Sequence, residues 1–196
     1  TEDYSGNLWI GTNKGLNKFN SEKKEFTVFS SENTDNPLSN NFVRTITNDY
    51  SDKNIIWIGT NKGISRINTE TDDVNNYLMS SLLHDSDISA RIILSSADDF
   101  LWVFSYGEGL YKFNKKTYTS EIFRINYSED ITKYDYFSSA VFDGDNIIVG
   151  TEKAGLYIFK RDINDFSEYY PEVFGDILND SIITSLLNDN KGNLWI

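Results

Sequence analysis

Four short polar clusters recur along the chain: Asn13-Lys14, Asn61-Lys62, Tyr106-Gly107-Glu108 and Glu152-Lys153. Amides, ammonium groups, carboxylates and a phenol ring are the groups that recognise a polyhydroxylated solute. The ring covers the apolar face of a sugar and the polar groups fix its hydroxyl edges. A second set lies in the segments between repeats: Ser39, Asn40, Asn41, Asp87, Tyr134, Tyr136, Asp180 and Ser181. Asn, Lys and Gly are also ordinary hairpin residues, so a solvated turn is the competing reading at each position.

Arg44 and Arg91 fall on or near successive repeats of one strand, where a guanidinium can bind a carboxylate or another anion. An arginine cluster of the sialidase kind is the sharper alternative, but the chain has only five Arg. Asp143-Gly144-Asp145-Asn146 and Asp189-Asn190-Lys191-Gly192-Asn193 are oxygen-rich, yet neither has the closing bidentate acid of a calcium loop, which leaves a plain turn. An Asp-box reading of Asp189 to Trp195 fails on spacing. The single His84 cannot build a Ser-His-Asp triad or a multi-histidine metal site. Glu108, between two glycines and beside Tyr106, is the nearest candidate for carboxylate chemistry, with a turn as its ordinary reading.

Composition narrows the field further. The 196 residues carry 30 acids against 18 bases, a formal charge of −12. A broad nucleic-acid surface needs a basic patch and is not expected. With no Cys, neither a disulfide framework nor a thiolate metal site is available. No cofactor and no metal are expected. The longest apolar runs, such as Ile55-Ile56-Trp57-Ile58, are too short to span a bilayer, so no membrane contact is expected of this segment. A content of 39% hydrophobic and 15% aromatic residues suffices for a packed core.

The elements that must carry these residues come from an internal repeat. Asn7-Leu8-Trp9-Ile10-Gly11-Thr12-Asn13-Lys14-Gly15-Leu16 returns as Ile55-Ile56-Trp57-Ile58-Gly59-Thr60-Asn61-Lys62-Gly63-Ile64. Drifted copies follow at Leu101-Trp102-Val103-Phe104-Ser105 and Ile147-Ile148-Val149-Gly150-Thr151, and a fifth begins at Leu194-Trp195-Ile196. The markers Trp9, Trp57, Trp102, Ile148 and Trp195 are 48, 45, 46 and 47 residues apart. Each unit reads as four short strands. In the second they are residues 42–48, 54–60, 64–68 and 74–78, with Gly63 at a hairpin that needs positive φ. The period is that of a propeller blade. The run Leu-Trp-Ile-Gly-Thr is apolar on both faces, as in a sheet held between two others. The expected fold is therefore all-β: residues 1–196 form four-stranded antiparallel β-propeller blades, about four repeats, as a segment of a larger propeller.

Leu-Trp-Ile-Gly-Thr-x-x-Gly-Leu-x-x-Phe, preceded by Leu38-Ser39-Asn40-Asn41-Phe42-Val43-Arg44-Thr45-Ile46-Thr47-Asn48-Asp49, closely resembles the two-component regulator propeller repeat. The resemblance covers essentially the whole chain. Copies three and four depart from it at Phe104-Ser105 and Ile148-Val149, which bears on loop shape. The resemblance implies a ligand-sensing segment of a membrane-anchored bacterial receptor, lying outside the cytoplasm, with no enzymatic activity. It further implies a small-molecule or oligosaccharide ligand. The candidate contacts, chosen by their place on the turns, interblade segments and repeated strand, are Asn13, Lys14, Arg44, Asn61, Lys62, Arg91, Tyr106, Glu108, Tyr134, Tyr136, Glu152 and Lys153. The rivals are a protein-interaction or dimerisation propeller and a polysaccharide-active enzyme. The apolar faces of the end blades are expected to be covered by oligomer contacts, ring closure or further chain.

Overall fold

A computed structural model describes residues 1–77, 79, 87–125, 135–169, 178, 181–189 and 191–196. Its strands form successive antiparallel sheets. The first holds β1 (Leu8–Thr12), β2 (Gly15–Asn20) and β3 (Glu25–Phe29). The second holds β4 (Val43–Asn48), β5 (Ile55–Thr60), β6 (Gly63–Asn68) and β7 (Val74–Tyr77). The third holds β8 (Ala90–Ser95), β9 (Phe100–Ser105), β10 (Leu110–Asn114) and β11 (Ser120–Phe123). The fourth holds β12 (Phe137–Asp143), β13 (Asn146–Thr151), β14 (Leu156–Lys160) and β15 (Asp165–Glu168). β16 (Leu187–Asn188) and β17 (Leu194–Trp195) begin a fifth. The all-β blade architecture read from the repeat is the observed one. Among the described residues no helix is long and apolar enough to cross a membrane.

Blade stacking explains the two-faced apolar runs. Every residue of β5 is buried. Trp57 faces forward, onto Ile93, Leu101, Val103 and Phe113 of the third sheet. Ile56 and Ile58 face back, onto Trp9 and Leu16 of the first. Trp102 likewise reaches Phe159 of the fourth sheet, with ring centroids 5.4 Å apart. In β1 only the forward face is covered. Leu8 and Ile10 are 43% and 39% exposed, against 0% for their counterparts Ile56 and Ile58.

A carboxylate clasps three of the marker indoles. The Trp9 Nε1 donates to Asp3 at 2.7 Å, Trp57 to Asp49 at 2.7 Å and Trp195 to Asp189 at 3.0 Å. The other oxygen of each carboxylate, Oδ1, accepts turn amides, from Ser5 and Asn7, from Ser51 and Asp52, and from Lys191 and Asn193. The acid therefore ties the turn before the second strand to the core indole. Of the two oxygen-rich turns weighed for calcium, the one at Asp189 spends its acid on this clasp. Among the described residues no acidic or histidine cluster could hold a metal ion.

The third sheet lacks this acid. Ser96 stands six residues before Trp102, as Asp3 does before Trp9, and the buried Trp102 Nε1 has no hydrogen-bond partner. Lys112 and Arg161 lie over the Trp102 ring instead, 5.5 and 5.2 Å from its centre. Restoring the acid with Ser96→Asp should satisfy the indole and add about 1 kcal/mol of stability, allowing for the lost Ser96–Asp98 bond. A thermal melt should show this as a rise of about 2–4 °C.

Candidate functional site

The first strands of the successive sheets, β4, β8, β12 and β16, lie side by side. Each of the first three carries a β-bulge at the same place, between Val43 and Thr45, between Ala90 and Ile92, and between Phe137 and Ser139. The bulged residues are Arg44, Arg91 and Ser138. A bulge adds one residue to a strand and re-aims its side chain out of the ladder. The structure thereby aligns Arg44 with Arg91, which the sequence left uncertain by a residue or two.

The turn after the second strand of each sheet stands next to the bulge. Its amides are tied to the segment between blades: Asn61 N donates to Phe42 O, Tyr106 N to Ser89 O, and Glu152 N to Tyr136 O, at 2.9 to 3.2 Å. Gly15, Gly63 and Gly155 make the companion bonds to Asn41, Ile88 and Ser181. The hairpin clusters and the interblade segments are thus one surface, and each blade supplies a bulge residue and a turn residue to it.

In the second sheet this pair is internally satisfied. Arg44 Nε donates to Asn61 Oδ1 at 2.7 Å, Ser89 adds a bond to the same oxygen at 3.1 Å, and Lys62 approaches Asp87 at 4.0 Å. Asn13 and Lys14 are exposed, and the Lys14 amide is held by the Thr12 hydroxyl. Ser39, Asn40 and Asn41 spend their side chains on the local framework.

The third and fourth sheets differ. The Arg91 guanidinium lies 3.8 Å from the centre of the Tyr106 ring. Tyr106 stands 4.6 Å from Tyr136, and the Tyr106 hydroxyl donates to Glu152 Oε2 at 3.2 Å. Glu152 Oε1 is 3.8 Å from Arg91 Nη1, and Lys153 lies over the Tyr136 ring at 4.9 Å. Burial first, then the Glu152 carboxylate, push the Tyr106 phenol above its ordinary value, so its proton stays in place for donation. Arg91, Glu152 and Lys153 of this group line a cleft of about 530 Å³ together with Ile92, Phe137 and Ser138, and with Ile182, Ile183 and Thr184 from the segment leading to β16.

Five of the residues selected from sequence therefore meet at one place: Arg91, Tyr106, Tyr136, Glu152 and Lys153. Arg44, Asn61 and Lys62 form the neighbouring polar surface, and Asn13 and Lys14 lie a further blade away. Glu108 is buried, between Gly107 and Gly109, and pairs with Arg124 at 3.5 Å. Tyr134, Asp180 and His84 lie outside the described residues. Sequence reasoning did not find Ser138 or the Ile182–Thr184 wall. Ser138 becomes visible only through the bulge, which leaves no mark on strand length. A second groove of about 470 Å³, along Thr27–Phe29 and residues 32–36, has no aromatic pair beside its acids, and its Asp72 is engaged by Lys18 at 2.7 Å.

No family model and no curated protein matches the chain. Solved structures do. The extracellular domain of a proposed hybrid two-component system from B. thetaiotaomicron matches at TM-score 0.76 and 22% identity, over 100% of this chain and 26% of that one. A second such domain from the same organism matches at TM-score 0.75 and 20% identity, over 96% and 24%. The fold is shared with these extracellular domains. This chain spans about a quarter of their length. An ancestral GH74 enzyme matches at TM-score 0.65 and 12% identity, over 89% of this chain and 23% of that one. At these identities the likeness is one of fold.

Proposed function

We propose that this chain is a ligand-sensing segment of the extracytoplasmic part of a bacterial two-component-type receptor. It binds a carbohydrate or similar solute in the cleft between the third and fourth sheets. The observation that carries this reading is the convergence of Arg91, Tyr106, Tyr136, Glu152 and Lys153 beside an apolar-floored cleft. Sugar recognition uses this combination of ring, cation, acid and apolar wall. The fold shared with these extracellular domains supports the sensor setting.

Among the described lining residues Glu152 is the one carboxylate, whereas glycoside hydrolysis uses a pair. The reading is recognition without turnover. Signalling then follows from differential affinity, the ligand favouring one arrangement of this segment and the domain that follows it.

Calorimetric titration of the chain with a panel of neutral and acidic oligosaccharides tests this. Binding is expected with the saccharide recovered unchanged, and Tyr106→Ala should weaken it about tenfold by releasing the Arg91 guanidinium that the ring holds in place. A second reading, an interaction scaffold, is favoured by the exposed face formed by Leu8, Ile10, Phe26 and Val28. A panel without binding, together with a chain that sediments as a dimer, would select that reading instead.

A further inference from the structure

The Arg91 site differs from its repeat partner in one respect that specifies a ligand chemistry. In the second sheet the bulge arginine has its Nε satisfied by Asn61. In the third sheet Tyr106 occupies the position of Asn61. A ring can stack on a guanidinium but cannot accept its in-plane N–H. Arg91 Nε is buried and has no hydrogen-bond partner. Glu152 does not replace that partner, since its nearer oxygen stands 3.8 Å from Nη1, beyond hydrogen-bond length. The Ser138 hydroxyl, on the same lining, is also buried without a partner.

Buried donors left unpaired are costly, and a guanidinium edge is best filled by two oxygens of one anion. The surroundings agree. Arg91 and Lys153 bring two positive charges against the single negative charge of Glu152, in a chain whose formal charge is −12. The Tyr106 face fixes the guanidinium plane, so its edge is pre-aimed. Ile92, Phe137 and Ile183 supply apolar wall for the remainder of a ligand.

We propose that the Arg91 edge is an anion subsite that takes the carboxylate of an acidic saccharide, with Ser138 donating to the same group and Glu152 as the charge that the ligand displaces. The subsite rests on the ligand-binding reading above and narrows it to saccharides that carry a carboxylate. Glu152 sets the threshold: a neutral sugar leaves it against Arg91, whereas a uronic acid competes with it. Glu152 keeps its Tyr106 bond when displaced, so the exchange needs only a small movement of the carboxylate.

The test is a titration of the full chain with methyl glucuronide and, separately, methyl glucoside, followed by the Nε–H NMR signals of its five arginines. The glucuronide should shift the Arg91 signal saturably, and the glucoside should leave it in place. Arg91→Lys keeps the charge but loses the fork, and should weaken glucuronide binding about tenfold or more. Glu152→Gln removes the competing charge and should tighten it severalfold. Equal shifts with the glucoside, or a weaker complex in Glu152→Gln, would overturn the anion subsite while leaving the saccharide reading intact. Absence of binding by both sugars, with the oligosaccharide panel also blank, would overturn both.

Discussion

Replacing Asp49 with alanine is expected to lower the unfolding free energy by about 3–5 kcal/mol, among the largest effects of any single change in this chain. The Asp49 side chain is 4% exposed and holds four donors: the Trp57 indole, the Ser51 and Asp52 amides, and the Lys115 ammonium from the third sheet at 3.2 Å. Alanine leaves a buried indole N–H unpaired and a nearly buried lysine without its counter-charge. Urea unfolding measures the loss. Asp49→Asn, which keeps an acceptor, should cost less.

The pH dependence follows from the same contacts. Burial on its own would raise the Asp49 carboxyl, but the Trp57 indole, the Ser51 amide and Lys115 outweigh it and hold the group below its ordinary value of 3.8. Asp3 is lowered in the same way: burial opposes, and Trp9, Asn7 and Ser5 prevail. A carboxyl depressed in the folded state adds stability that is complete above the unfolded value and lost as pH falls through the folded one. The gap in stability between the native chain and Asp49→Asn should therefore be constant near neutrality and close below about pH 4.

Gly59→Ala is expected to cost about 2–3 kcal/mol although it adds a single methyl group. Gly59 pairs with Thr45 just past the bulge of β4, and the first strand of the next sheet crosses close above it. A Cβ there would meet the Ala90 carbonyl oxygen and the Thr45 Cγ2, both at 2.5 Å. The carbonyl belongs to the backbone of β8 and cannot rotate away. The glycine of the Gly-Thr motif thus marks a crossing of strands rather than a turn. The third repeat shows the alternative. Phe104 occupies the equivalent place, paired with Ile92, and is buried edge-on against Phe137 with centroids 5.3 Å apart. A ring at this crossing changes how β12 meets the third sheet, and the candidate cleft, bordered by Ile92 and Phe137, lies at that junction.

Much of this was legible in the sequence, for specific reasons. Four strands per repeat could be placed because Trp57, Gly63 and Ile64 recur in register with their copies, and a strand buried on both faces writes itself as an unbroken apolar run. The turn residues Tyr106, Glu152 and Lys153 were legible because they sit at a fixed distance from those markers. The bulges were not. An inserted residue changes facing without changing composition, so Arg91 could not be aligned with Arg44, and Ser138 gave no signal at all. The clasps were half visible. Asp49 and Asp189 belong to the recurring pattern, but their indole partners follow at eight and six residues, across turns of different length. Glu108 was found as an acid between glycines, while its burial depends on Arg124, which arrives sixteen residues later at the end of another hairpin.

The central claim is that successive bulges and turns assemble a ligand cleft between the third and fourth sheets. Backbone amide shifts of the full chain, titrated with the tightest member of the oligosaccharide panel, test it most directly. The changes should concentrate at residues 89–92, 106–107, 136–138, 152–153 and 182–184. Changes confined to the outer strands, or to the exposed face around Leu8, Ile10, Phe26 and Val28, would contradict it.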